Sequence, residues 1–168
     1  QMCIRDSFND SNFPDLNGDL LINCLESFKM PPGRGEILSL NKFKIIDDSY
    51  NANPESVKAA LDHLSGFQEY RKFFVFGDMK ELGANEEILH KKVGQYAVGK
   101  TDILLTVGKL AKNAQSNGNS FALSLHFNDN FSLLEKLNEL LTDGDIVLIK
   151  GSRSMQLDQL INELKNVK

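Results

Sequence analysis

From residue 43 onward, short apolar runs alternate with longer stretches whose apolar positions recur every three or four residues. FKII (43–46), FFVF (73–76), ILLTV (103–107), FALSLHF (121–127) and DIVLI (145–149) are the short runs. Their length and their β-branched and aromatic content predict strands. Val57, Ala60, Leu61 and Leu64 have the spacing of a buried helix stripe. Leu89, Val93, Tyr96 and Ala97 repeat that spacing, as do Leu134, Leu137, Leu140 and Leu141, and Leu157, Leu160, Ile161 and Leu164. Another helix is expected to begin near Lys109. Asn53, Pro54 and Glu55 form a helix-start signal for the first stripe, and Asn85 is expected to cap the second.

Strands alternating with helices predict βαβ units and an α/β fold, a Rossmann-like three-layer sandwich around a mainly parallel sheet. EILSL (36–40) precedes FKII with only a short turn between them, which predicts an antiparallel strand at one edge. Upstream, Leu20, Leu21, Cys24, Leu25 and Phe28 space as a helix, and KMPPGRGE (29–36) breaks that pattern with two prolines and two glycines. A domain boundary is therefore expected there, with residues 8–31 closing an earlier domain and 32–168 forming the next. MCIRDS (Met2–Ser7) reads like the translated end of a sequencing-library transposon. Residues 1–7 are accordingly expected to be a non-native or disordered leader.

The totals narrow the function classes. A chain of 168 residues with 41% apolar and 25% charged residues is ordinary for a globular domain. A net charge of −4 argues against a nucleic-acid partner, which would need clustered Lys and Arg. No run of about 18 apolar residues predicts a membrane span. Cys3 and Cys24 make neither a metal spacing nor a disulfide framework, which suits the cytoplasm. His63, His90 and His126 are scattered, so no metal site is expected, and surface or half-buried imidazoles are the default.

Strands of a parallel sheet end on one edge, and ligands bind in the crevice outside it. The strand-ending loops are DDSYNANP, GDMKELG, VGK and KGSRS, most of them richer in polar residues and glycine than a turn requires. They predict a polar small-molecule site built from Asp47 to Asn53, Gly77 to Gly83 and Lys150 to Ser154. Asp47 and Asp48 point to opposite strand faces, so one of them faces the site, where a carboxylate suits the two hydroxyls of a ribose. Arg34, Lys150 and Arg153 could meet phosphate or carboxylate groups. GQYAVGKT (94–101) satisfies the phosphate-loop pattern, but such a loop must leave a strand and enter a helix. Here the order is reversed. Gly99 is expected to end a helix in the left-handed conformation, with Lys100 near the helix's negative end.

GRGE (33–36), DDSYNANPES (47–56), FGDMKELG (76–83), LTVGK (105–109) and IKGSRSM (149–155) follow one another as similar motifs do in the C-terminal domain of Mur ligases. The chain resembles that family over roughly residues 20–165. The SYNANP and GDMKELG versions resemble the branch that adds D-alanyl-D-alanine to UDP-N-acetylmuramoyl-tripeptide, and the DNPR motif of the branch adding the third residue is absent. The resemblance implies ATP-dependent amide formation in cytoplasmic peptidoglycan precursor synthesis. There a carboxylate is phosphorylated, the dipeptide amine attacks, and ADP and phosphate are released. It also implies that Arg34, Asp48, Tyr50, Asn51 and Asn53 serve the nucleotide, with Asp47 a weaker choice than Asp48. Gly77, Asp78, Met79, Leu82, Lys150, Ser152 and Arg153 would form the dipeptide pocket.

In that family the phosphate loop and the groups holding Mg2+ belong to a central domain, and none of those motifs is found in the 168 residues. The chain is thus expected to be a C-terminal piece with no catalytic residue of its own, inactive alone and part of a monomeric enzyme. The alternatives are another Mur-type amino-acid ligase, a non-catalytic nucleotide-binding module of the same fold, and a phosphate-loop NTPase.

Overall fold

A computed structural model of the chain describes residues 31–40 and 42–166. The expected leader (1–7) and all but the last residue of the expected domain end (8–31), with its Leu20–Phe28 stripe, lie outside the described residues.

Six strands form one sheet in the order β1-β2-β6-β3-β4-β5. They are β1 (Glu36–Ser39), β2 (Phe43–Asp48), β3 (Arg71–Gly77), β4 (Ile103–Val107), β5 (Leu123–Phe127) and β6 (Asp145–Lys150). Only β1 runs antiparallel, with Glu36 opposite Asp47 and Ser39 opposite Lys44, as its short connection to β2 predicts. The other pairings are parallel. The helices are α1 (Pro54–Ser65), α2 (Glu86–Ala97), α3 (Asn130–Leu140) and α4 (Leu157–Asn166).

The period-two alternation of the strands divides the core into two layers. Ile46, Phe74, Phe76, Leu104, Ile146 and Leu148 face α1 and α2, meeting Val57, Leu61, Leu64, Val93 and Ala97. Ile45, Phe73, Val75, Leu105, Val147 and Ile149 face α3 and α4, meeting Leu133, Leu137, Leu160 and Leu164. Because both faces are covered, the central strands read as unbroken apolar runs.

Several local expectations hold and others change. Asn53 caps α1: its side chain accepts from the Ser56 amide at 2.8 Å while Ser56 Oγ accepts from the Asn53 amide at 3.1 Å, a closed capping box. Asn85 does not cap α2 with its side chain, because a 3-10 turn at Gly83–Asn85 feeds the helix instead. No α-helix starts near Lys109. Ala111–Ser120 is a 3-10 segment that buries Ala111 and Ala114 against the core and is otherwise polar or glycine, too narrow an apolar face for a full helix. β5 begins at Leu123, two residues later than its apolar run.

The site is fixed by the place of β6. The chain leaves β2 and β3 toward the face carrying α1 and α2, whereas it leaves β6, lying between them, toward the face carrying α4. Loops that part in opposite directions leave a crevice at the ends of these strands.

Candidate functional site

Two glycines allow the loops after β3 and β6 to meet. A Cβ on Gly77 would lie 3.1 Å from Leu157 Cδ1, and one on Gly151 only 2.8 Å from the same atom. With that approach permitted, the Ser152 amide donates to the Asp78 carbonyl at 2.9 Å, and Ser152 Oγ accepts from the Lys80 amide at 2.8 Å.

Asp78 points backward from this seam. Its Oδ1 accepts from the amides of Leu110 and Ala111 at 2.9 and 2.8 Å, and its Oδ2 pairs with Lys80 Nζ at 2.9 Å. Burial works against the charge, but the Ala111 amide, the Lys80 ammonium and the Leu110 amide outweigh it, so the carboxyl sits below its usual range. Asp78 thus ties the β3 loop to the β4 loop, which explains Gly108: its φ of +105° and a Cβ that would sit 2.5 Å from Asp78 Oδ1 exclude other residues.

Met79 is wholly buried, and its amide donates to His90 Nε2 at 2.8 Å. His90 Nδ1 lies 2.6 Å from the Glu86 carbonyl, its only role there being to donate, which fixes a neutral tautomer. Burial pushes this imidazole below its ordinary value, against the Glu86 carbonyl and the negative charges of Asp78 and Glu86. The expectation of surface or half-buried histidines therefore fails at His90, which is fully buried and pins the GDMKELG loop to α2.

In front of this frame lies a cavity of about 510 Å³. The β2 loop contributes Tyr50, Asn51 and Asn53 to it, the β3 loop Lys80, Glu81 and Leu82, and the β6 loop Ser152 and Arg153. Glu81 holds a left-handed φ of 63°, rare for a residue with a Cβ and characteristic of functional loops. A second cavity of about 420 Å³ shares Tyr50 and Arg153 as walls and is closed by Gly33, Glu36 and Asp158. The Arg34 guanidinium stacks over the Tyr50 ring at 4.3 Å, leaving Tyr50 46% exposed.

Of the expected nucleotide set, Tyr50, Asn51 and Asn53 line the larger cavity, Arg34 stacks on Tyr50 at its side, and Asp48 lines neither cavity. Asp47 is buried, its Oδ1 accepting from the Ser49 amide and hydroxyl at 3.1 and 2.6 Å, yet it lines the second cavity; Asp48, paired with Lys150 through Oδ2, is the more exposed of the two. Of the expected dipeptide set, Leu82, Ser152 and Arg153 line the cavity. Gly77, Asp78 and Met79 form its buried support, and Lys150 is 2% exposed beneath the β2 loop. Lys80, Glu81 and Ser154 also line the cavity; they lie inside the predicted ranges 77–83 and 150–154 but outside the set that the resemblance assigns to the dipeptide. Among the described residues, no three His, Cys, Asp or Glu side chains gather to hold a metal ion, and no helix is long and apolar enough to cross a membrane.

The stretch 94–101 is far from a phosphate cradle. Gly94 is buried inside α2, Gly99 turns with φ +75° just beyond its end, and Lys100 Nζ pairs with Asp62 at 2.7 Å.

The family model for the glutamate ligase domain of Mur ligases matches residues 33–153. The UDP-N-acetylmuramoyl-tripeptide–D-alanyl-D-alanine ligase of Bacillus subtilis is 35% identical over 83% of this chain and 32% of its own. The ligase of the same name from Escherichia coli is 37% identical over 84% of this chain and 31% of its own. The chain therefore spans about a third of the length of these curated relatives. A solved MurF of Acinetobacter baumannii superposes with a TM-score of 0.79 at 26% identity, covering 90% of this chain and 34% of that one.

Proposed function

The chain belongs to the Mur ligase family, matched through its glutamate ligase domain, and from that membership we propose that it supplies the C-terminal part of a ligase joining D-alanyl-D-alanine to UDP-N-acetylmuramoyl-tripeptide. In this reading residues 32–168 are the C-terminal domain and 8–31 the end of the domain before it. The observation that carries the reading is the polar cavity at the parallel strand ends, walled by the loops whose sequences resemble this branch.

A nucleotide fits the residues present. Asp48 Oδ1 accepts no hydrogen bond among the described residues, and the exposed Tyr50 face with Arg34 above it offers a flat surface beside a cation. ATP, when bound, supplies the phosphoryl group that makes a carboxylate reactive toward an amine. The described residues hold no ligand set for Mg2+, which on this reading is bound by another part of the enzyme.

The part played by this chain is binding and orientation. Asp48 accepts from ribose hydroxyls, while Lys80 and Arg153 neutralise the carboxylate of the incoming dipeptide. Ser152, held by the Lys80 amide, and Leu82 shape the walls. A dipeptide gripped at its carboxylate turns its amine toward the cavity mouth, so that attack on the activated carbon becomes a matter of position. The enzyme is cytoplasmic and monomeric in this proposal.

The test joins the chain to the preceding part of the Bacillus subtilis relative and follows ADP release with ATP and UDP-N-acetylmuramoyl-tripeptide. Release that depends on D-alanyl-D-alanine is expected. Release dependent instead on a single amino acid, with the matching shorter acceptor, would assign the chain to another Mur-type branch. No release with any pair would leave a non-catalytic module.

A further inference from the structure

We propose that Lys150 is a positioning residue that presents Asp48 to the nucleotide and does not touch the dipeptide, an inference that rests on the functional reading above. Lys150 ends the central strand β6, in register with Asp48 at the end of β2. Its side chain is 2% exposed, and Nζ donates to Asp48 Oδ2 at 2.6 Å and to the Asn51 carbonyl at 3.0 Å. A buried ammonium must be paired, and here two of its three N–H bonds are already spent inside the chain. Contact with a dipeptide carboxylate would require breaking one of these bonds and opening the β2 loop.

The same two bonds do work for the neighbours. One oxygen of Asp48 is held while the other stays open among the described residues, and the side chain is 21% exposed. A carboxylate fixed at one oxygen has a set direction for the other, so a ribose hydroxyl meets it without a search over rotamers. The hold on the Asn51 carbonyl fixes the segment that carries Tyr50, against which Arg34 stacks. Two other cations reach the cavity. Lys80 and Arg153 are each paired once, with Asp78 and Asp158 at 2.9 Å, but their side chains are 46% and 63% exposed, so their remaining N–H bonds face solvent at the cavity. The three cations therefore divide into two that reach the cavity and one that organises its wall.

The experiment uses the joined ligase described above and compares Lys150→Met, Asp48→Asn and the double variant, measuring KM for ATP and for D-alanyl-D-alanine, with melting curves as the check on folding. Lys150→Met is expected to raise KM for ATP about tenfold while the dipeptide KM moves less than about twofold. In the Asp48→Asn background the same change should add less than about twofold to KM for ATP, because the group it positions has already been weakened. A dipeptide KM that rises as much as that for ATP would overturn the proposal, and so would a full, additive effect in the double variant. If Lys150→Met does not fold, Lys150→Gln, which keeps a shorter neutral donor, is judged by the same two criteria. An unmodified joined ligase that releases no ADP would defeat the functional reading itself. Normal turnover with an unmoved ATP KM in Lys150→Met would defeat the positioning role alone.

Discussion

A methyl group on Gly94 would land 1.9 Å from the carbonyl oxygen of Ala114, so this glycine lets α2 lie directly against the 3-10 segment. In an open helix interior Gly→Ala gains about 1 kcal/mol. Overpacking against a backbone that cannot yield costs about 1–3 kcal/mol or more, so the clash wins. Gly94→Ala should lower the melting temperature by about 3 °C or more in calorimetry. Lys100→Ala should remove the pair with Asp62 and the contact over the Tyr96 ring, and leave nucleotide affinity of the joined ligase unchanged in a titration. Loss of nucleotide binding in Lys100→Ala would restore the phosphate-loop reading of residues 94–101. At this scale the sequence is legible where the chemistry is local. Asn53 caps because its partner is three residues away, and Gly99 turns because a helix has just ended. It is silent where partners are remote: Asp48 and Lys150 meet across 102 residues, and Asp78 turns to amides more than 30 residues away. Hence the motif residues were identifiable together, but not which of them line the cavity and which brace it.

Among the elements, the loop between β3 and α2 depends most on one side chain. His90 accepts from the Met79 amide and donates to the Glu86 carbonyl, and a protonated ring could no longer accept. Because burial lowers its value in the folded chain, stability from the neutral ring is fully present above the unfolded value of about 6.5. It is lost as pH falls from there through the folded value. His126, half-buried beside Thr106 at 3.0 Å, is shifted in the same direction by burial and by Lys112, so its contribution must be separated. Asp78, also lowered, has the same sign but acts in the carboxylate range, further down the pH scale. Melting curves between pH 8 and pH 5 should show a decline that shrinks in His90→Ala and persists in His126→Ala. An unchanged slope in His90→Ala would remove His90 from that role. Helices and strands were readable because burial imposes its period on them, and β1 because its partner follows within a few residues. Ala111–Ser120 was not: its only apolar residues, Ala111 and Ala114, bury against the core, and the rest are polar or glycine, too little apolar surface to hold a full α-helix.

For the whole molecule, the decisive fact is that β6 inserts between β2 and β3 although nearly a hundred residues separate it from β2 in the chain. Apolar runs announce strands but not their order, so the strand-ending loops were recognisable as the site in sequence, while which of those loops become neighbours follows only from the assembled sheet. On the proposed function, the crevice between these loops offers contacts for a nucleoside and a carboxylate. Moving a phosphoryl group also needs the charge on the phosphates to be neutralised, by a metal ion or by a ring of amides and cations. Among the described residues no metal-ligating group assembles, and the one stretch matching a phosphate loop is spent on a helix end. We therefore expect the 168-residue chain alone, given ATP, Mg2+, UDP-N-acetylmuramoyl-tripeptide and D-alanyl-D-alanine, to release no ADP above background in a coupled assay. Adding the preceding part of the relative as a separate polypeptide should restore some turnover, provided the two parts associate. Asp48→Asn in the added chain should then weaken ATP use by roughly the 1.5–3 kcal/mol of a lost charged hydrogen bond, that is, by tenfold or more. ADP release by the chain alone would mean that it carries a phosphate site of its own, and the division of labour proposed between it and the rest of the ligase would fall.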